Sequence, residues 1–311
     1  MQKFSIGPLE WALLIGLSII WGGSYLFMKV AVASVPVFTI VFLRVALGAL
    51  VLALVMLAMR LQFPAGLLVW RSFFGMGVIN NVIPMSLIVF GTSTIDAGLA
   101  SIINAMTPLF AIVIAHFATD DERLTANRLM GVALGIGGVI VLIGPSLLFN
   151  AQINLWGEFA CLAATLSYAT ASIFGRRFAR MKLQPIQIAF GQTASASLVL
   201  LPISWIIDKP WTLPLPSHGA IMSLAALGIL CTAIGYMMYF RVLNNSGAVA
   251  VALVTLLIPP SALVLGIFVL GETLSLTDVI GMGLIGMGLV IVNFKLKSAQ
   301  TMSERNNATT S

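Results

Sequence analysis

Arg44 lies about six residues inside an apolar run, where its charge costs several kcal/mol unless paired or wetted. A planar guanidinium there is suited to grip a substrate carboxylate through two parallel hydrogen bonds. Two plainer roles compete: snorkelling to the membrane interface, or clasping backbone carbonyls near a helix end. Prolines inside other apolar runs supply a second kind of chemistry. Proline lacks the amide proton and crowds the carbonyl four residues back. Pro108 therefore releases the carbonyl of Asn104, Pro259 that of Thr255, and Pro260 that of Leu256. A freed carbonyl beside a polar side chain can line a substrate path. Alternatively the break serves packing alone, and a nearby hydroxyl satisfies the oxygen. Asn80 and Asn81 sit in a third such run, with Pro84 releasing the Asn80 carbonyl. Buried amides in lipid turn inward, either as a pathway wall or as a clasp between helices. Trp21, Tyr168, Tyr236 and Tyr239 also fall within apolar runs, where they floor an amphipathic cavity or pack.

Other chemistries lack their residues. His116 and His218 fall at ends of different runs, and no His-Glu-x-x-His or Cys/His cluster exists, so no metal, cofactor or catalytic site is expected. Cys161 and Cys231 both lie in apolar runs, which makes a disulfide framework improbable. No carboxylate falls in the middle of a run; Glu10 and Glu158 are at run starts and Asp96 at an edge. That pattern argues against coupling through a buried acid.

The elements that position these residues follow from composition. Of 311 residues, 59% are hydrophobic and 8% charged, with a mean hydropathy of +1.06. A soluble domain carries roughly 25% charged residues, so a soluble enzyme is excluded. Apolar runs cover 9–33, 38–59, 67–91, 97–118, 124–144, 154–176, 186–207, 217–243, 247–269 and 276–294. Each is long enough for a helix to cross about 30 Å of hydrocarbon, and unpaired amides in lipid require helices. The start, with Lys3 and Ala31-Val32-Ala33, imitates a cleavable signal. Its apolar part is too long and carries Glu10, so it is read as the first span. Thirteen Lys and Arg residues fall on the side of the N-terminus and two, Lys29 and Lys209, on the other, which puts both termini in the cytoplasm. The same spread reads the net charge of +6 as a topology signal, with no nucleic acid partner.

The two halves repeat. Glu10-Trp11-Ala12 matches Glu158-Phe159-Ala160 and Lys29 matches Arg177 at an offset of 148. Phe90 matches Phe240 at 150, and Pro108 matches Pro259 at 151. Gly131 and Gly138 match Gly281 and Gly288, while Arg44 meets the neutral Gln192. Each unit holds five spans, and an odd number inverts the second copy in the membrane. Inverted repeats are a transporter architecture, with substrate bound at the midplane between halves. The expected fold is all-α and integral to the membrane: ten transmembrane helices as two inverted five-helix repeats. The divisions are 1–8, a cytoplasmic N-terminus; 9–146 and 147–296, the repeats; and 297–311, a polar tail expected to be disordered. Glycines such as Gly135 and Gly286 mark spans five and ten as packing struts.

Trp21-Gly22, Arg44, Ala105-Met106-Thr107-Pro108-Leu109-Phe110, Pro259-Pro260 and Gly271-Glu272-Thr273-Leu274 followed by Gly281 to Gly288 together resemble the EamA-type permeases of the drug/metabolite transporter superfamily. The resemblance covers about 9–295. It implies a ten-helix carrier for small metabolites, often an exporter, working by alternating access. The first unit departs from it, with Asp120-Asp121-Glu122 where Gly-Glu is expected, so that turn is expected to differ in shape. The resulting expectation is an inner-membrane exporter of amino-acid-like, zwitterionic or amphipathic metabolites. Its partners are membrane lipids and a small-molecule substrate. Importer or exchanger is the nearer alternative, and a lipid-handling membrane enzyme or scaffold the more distant one. The candidate pathway comprises Trp21, Arg44, Asn80, Asn81, Asn104, Pro108, Tyr168, Gln192, Tyr236, Tyr239, Thr255, Pro259 and Pro260.

Overall fold

The computed structural model describes residues 8–118, 125–148 and 152–291, with the side chains of 144–148, 152–154 and 243–253 left aside. Residues 1–7, the Asp120-Asp121-Glu122 turn and the 297–311 tail lie outside the described residues. Within them the chain is helical, with no strand. Seven helices are long and apolar enough to cross a membrane: α1 (Pro8–Val32), α2 (Val37–Ala58), α3 (Leu67–Thr94), α4 (Ala97–Ala118), α5 (Ala126–Ile143, continuing to Leu148), α7 (Pro185–Asp208) and α8 (His218–Val242). Between them runs α6 (Gln152–Gly175), and two shorter apolar helices follow, α9 (Val254–Leu270) and α10 (Leu276–Ile291).

Helical pitch continues from Gly235 to Leu265, across the break expected at 244–246. The chain nevertheless doubles back there. Trp21 bonds the Cys231 carbonyl, while a Cβ on the adjacent Gly22 would lie 2.7 Å from Ser261. A straight helix would hold Cys231 and Ser261 about 45 Å apart at about 1.5 Å per residue. α8 and α9 are therefore two legs flanking α1.

Burial is inverted relative to a soluble protein. Leu50, Leu54 and Leu57 of α2 are exposed, whereas Thr39 and Arg44 of the same helix are buried. Asn81, Gln192, Thr193 and Thr232 are likewise buried in the interior. Water would reject such a surface; hydrocarbon accepts it, and polar side chains then satisfy one another inside.

Glycines set the closest approaches. On α5 and α10, Gly138 faces Gly281, and Gly288 faces Gly131, with no room for a side chain between the backbones. Deeper in the bundle, a Cβ on Gly77 of α3 would lie 2.9 Å from the Gln192 carbonyl of α7. One on Gly228 of α8 would lie 3.2 Å from the Arg44 carbonyl of α2. Of the glycines anticipated as struts, Gly131, Gly138, Gly281 and Gly288 make these contacts, whereas a Cβ on Gly286 would meet nothing within 4 Å. The end of the bundle where α1 starts is called the near end, and the other the far end.

Candidate functional site

The middle of α3 is widened. Residues Val78–Val82 form a π-helical turn, in which the Ile83 N–H reaches back five residues to the Val78 carbonyl. In that register the donor missing at Pro84 would have served Ile79, not Asn80. The Ser167 hydroxyl of α6 fills the gap, donating to the Ile79 carbonyl at 2.6 Å. Wider turns of this kind often mark functional positions. Here the turn presents Asn80 and Asn81 to one partner. The Asn80 amide donates to Gln192 Oε1 at 2.9 Å and to the Tyr236 hydroxyl at 3.4 Å. Asn81 donates to the same Gln192 oxygen at 3.5 Å, and Tyr236 donates to Asn81 Oδ1 at 3.3 Å. Four candidates from α3, α7 and α8 therefore form one network near mid-bundle.

Arg44 is 7% exposed and does not snorkel. Its Nε donates to Thr232 Oγ1 at 3.3 Å, and its Nη1 meets the Met28 sulfur at 3.6 Å. Thr232 holds that position because its own hydroxyl donates to the Leu227 carbonyl at 2.8 Å, inside a second π-helical stretch, Ala226–Ile234. A hydroxyl and a thioether do not neutralise a guanidinium. Among the described residues no carboxylate pairs with it. Tyr25, Tyr168 and Tyr236 lie within electrostatic range of the charge.

The same π-helical stretch seats Trp21. The Gly235 N–H reaches Leu230 rather than Cys231, and the Trp21 indole donates to the Cys231 carbonyl at 3.1 Å. Trp21 and Tyr239 rings stand 5.6 Å apart, so these two pin α1 to α8.

α4 breaks where Pro108 foretells, into Ala97–Asn104 and Thr107–Ala118. The expected free carbonyl is not found, because the Thr107 hydroxyl donates to the Asn104 carbonyl at 2.8 Å. What lacks a donor instead is the buried side-chain oxygen, Asn104 Oδ1. The symmetric counterpart behaves differently. Pro259 borders a small crevice of about 30 Å³ beside Ile102 and Ala105 of α4 and Met282 of α10, and Pro260 is exposed. No hydrogen bond joins Thr255 to Asn104 or to the amide network among the described residues. The two proline sites thus adjoin across the crevice that Ala105 and Pro259 share, without a hydrogen bond between their polar groups.

At the far end two carboxylates act across the bundle. Glu272 accepts from the N–H groups of Ala97 at 2.7 Å and Gly98 at 3.1 Å, capping α4, whose own Asp96 makes no cap. Gly271 allows this by turning at φ 69°, a conformation glycine adopts readily. Asp208 accepts from the Thr39 N–H at 2.6 Å and its hydroxyl at 2.8 Å, capping α2. Negative charge at a helix N-terminus is stabilising. Lys29 adds a bond from its ammonium to the Ile95 carbonyl at 2.7 Å. The near end has Gln187 donating to the Gln62 carbonyl at 2.8 Å.

Glu158 corrects a further expectation. α6 starts at Gln152, so this acid sits on its second turn and is 1% exposed, close to Cys161. A buried carboxylate does exist. His116 packs on Phe117 with ring centroids 4.9 Å apart, and no group of His, Cys, Asp and Glu able to hold a metal occurs among the described residues.

Sequence reasoning missed Tyr25, Met28, Thr232 and Ser167, whose types are ordinary in membrane helices. Neither capping acid falls in the middle of an apolar run. Only Glu272 carried a signal, its place in the Gly-Glu motif.

Comparison with known proteins adds a separate line. A family model described as the EamA-like transporter family matches residues 9–144 and 155–294. The chain is 26% identical over 286 residues to the uncharacterized transporter YoaV of Bacillus subtilis (strain 168), spanning 90% of this chain and 95% of that one. It is 29% identical over 288 residues to the probable amino-acid metabolite efflux pump of Escherichia coli (strain K12), spanning 90% and 93%. To the uncharacterized inner membrane transporter YedA of Escherichia coli (strain K12) it is 26% identical over 286 residues, spanning 90% and 89%. A solved crystal structure aligns with a TM-score of 0.64 at 19% identity, covering 91% of this chain and 96% of that one, a likeness of fold alone.

Proposed function

The chain belongs to the EamA-like transporter family and is a multi-pass membrane transporter, and from that premise we propose that it exports small amino-acid-like, zwitterionic or amphipathic metabolites across the inner membrane. The observation that carries this reading is Arg44, a buried cation with no carboxylate partner among the described residues. An uncompensated charge in a low-dielectric interior is costly, and a substrate carboxylate relieves it. The amide and tyrosine network beside it offers further polar contacts. The similarity to the probable amino-acid metabolite efflux pump of Escherichia coli supports that substrate class and direction.

Ten spans as two inverted five-helix repeats is the architecture proposed. The glycine contacts support it. Gly131 is the repeat partner of Gly281, and Gly138 of Gly288; the pairs in contact are Gly138 with Gly281 and Gly131 with Gly288. A two-fold axis in the membrane plane exchanges those contacts. Gly77 against Gln192 and Gly228 against Arg44 exchange in the same way. Transport then proceeds by rocking one half against the other. Both termini are assigned to the cytoplasm, since Arg60, Arg71, Arg128, Arg176, Arg177, Arg180, Lys182 and Arg241 gather at the near end. The far end is then the external side.

Counterflow into proteoliposomes, screened over labelled amino acids and related carboxylates, tests the reading. Saturable exchange of at least one such compound, abolished by Arg44→Ala, is expected. Absence of exchange for the whole panel, or exchange that survives Arg44→Ala, overturns it.

A further inference from the structure

We propose that the near end carries a binding site for an anionic phospholipid, in which Arg71 of α3 and Arg177 and Arg180 of the turn after α6 hold the phosphate beside the Phe174 ring. The site faces the bilayer. It is separate from the interior around Arg44 and holds whichever way substrate moves.

Three contacts fix α3 against the end of α6 and the 3₁₀ turn Arg176–Arg180 that follows it. A Cβ on Gly75 would lie 2.5 Å from the Phe174 ring, and one on Gly175 would lie 3.6 Å from the Met76 methyl. The rings of Phe73 and Phe178 stack with centroids 5.5 Å apart. Those contacts set the cations side by side. Arg71 precedes Gly75 by four residues, and Arg177 follows Phe174 by three. Both therefore lie about one turn, roughly 5 Å, from the same contact, toward the near end and on the faces that meet there. The Arg177 guanidinium lies over the Phe174 ring, 3.3 Å from its centroid, and its Nε donates to the Phe174 carbonyl at 3.1 Å. That stacking holds the group in place and leaves its terminal N–H groups available. In a 3₁₀ turn residues i and i+3 eclipse, so Arg180 stands on the same side as Arg177, while Phe178 is buried.

Arg71, Arg177 and Arg180 are all exposed, and among the described residues no carboxylate pairs with any of them. Glu10 is the only described acid at that end. Deeper in the bilayer the same faces turn apolar: Phe74 of α3 and Leu166 of α6 are 49% and 43% exposed. Cations at the rim with lipid-facing apolar side chains beneath them match a molecule that is anionic at one end and hydrocarbon along its length. Guanidinium groups fit phosphate oxygens two at a time, and basic pockets between membrane helices take anionic headgroups in this way. A soluble phosphate would use the cations and leave the apolar stripe without a role.

The test uses the purified, delipidated full chain in detergent. Bound lipids are counted by native mass spectrometry as dioleoyl phosphatidylglycerol or phosphatidylcholine is added. The unaltered protein should take one phosphatidylglycerol about tenfold tighter than phosphatidylcholine. Arg71→Gln with Arg177→Gln should remove that preference. Arg60→Gln with Arg241→Gln, which subtracts the same charge from the same end, should retain it. Phe174→Leu, which leaves the charge unchanged, should weaken phosphatidylglycerol about threefold. Thermal melting without lipid shows whether each variant is folded; where a double variant melts early, the single variants decide, each expected to cost about threefold. Equal loss in the two double variants means diffuse attraction to a basic end and overturns the site, as does equal binding of the two lipids. Displacement of phosphatidylglycerol by millimolar inorganic phosphate assigns the cations to a soluble anion and overturns it too.

Discussion

Arg44 and Gln192 stand at repeat-related positions, 148 residues apart, yet they have opposite surroundings. Gln192 accepts from Asn80 and Asn81 in a network that Tyr236 closes. Arg44 has a hydroxyl and a sulfur. Around these two the packing stays alike, with Gly228 against the Arg44 carbonyl and Gly77 against the Gln192 carbonyl. Duplication preserved the frame and let the interior diverge. The frame must close the same way in both halves for helices to pack, whereas a substrate is not two-fold symmetric and needs different groups on its two sides.

If that division is right, the largest effect comes from Arg44. Arg44→Ala should weaken binding of carboxylate substrates by about 2–5 kcal/mol, the range for truncating one member of a buried charged pair. Proteoliposome uptake at graded substrate concentration measures it. Next come the frame positions. Gly138→Leu forces a side chain against the Gly281 backbone and should lower stability by about 1–3 kcal/mol or more, as over-packing does. Gly288→Leu should cost a similar amount, because its contact with Gly131 is the exchanged copy. Thermal melting in detergent compares the two, and a large disparity would argue against a shared frame.

The far-end caps rank third. Glu272→Ala removes the acceptor that caps the start of α4, a loss of about 0.5–2 kcal/mol. If the far end is an external gate, it should loosen. A cysteine placed by Ser24→Cys should react several-fold faster with a membrane-impermeant maleimide added outside. An unchanged rate would mean that these caps stabilise helices without holding a gate. The smallest effect is expected at Ser167. Ser167→Ala strips the donor from the Ile79 carbonyl and should cost about 0.5–1.5 kcal/mol of stability, with substrate affinity nearly intact.

Much of the fold was legible because lipid imposes simple rules. Seven of the ten expected spans are helices long and apolar enough to cross a membrane, as apolar length foretold, and glycine size foretold the contacts between α5 and α10. The break in α4 followed from Pro108. The reversal between α8 and α9 did not show itself as the expected interruption of helical pitch. The site was legible in residue type but not in partnership. Arg44, Asn80, Asn81 and Gln192 are polar residues that lipid would reject, so composition exposed them. Thr232, which accepts from Arg44, and Ser167, which donates to the Ile79 carbonyl, are tolerated anywhere in a membrane helix and leave no trace. The proline rule located freed carbonyls by counting back four residues. A π-helical turn shifts that count by one at Pro84, and the Thr107 hydroxyl cancels it at Pro108. Pro259 and Pro260 carry the same sequence signal, but Pro259 packs beside α4 and α10, and Pro260 is exposed.

The central claim is that a substrate carboxylate completes the Arg44 charge, and a cycle that alters protein and ligand together tests it most directly. The dissociation constant of a transported amino acid and of its carboxamide is measured for the unaltered protein and for Arg44→Ala. Removing the ligand charge should weaken binding to the unaltered protein by about as much as Arg44→Ala weakens binding of the acid, and the two losses should not add. Additive losses, or equal binding of acid and carboxamide by the unaltered protein, would contradict the account.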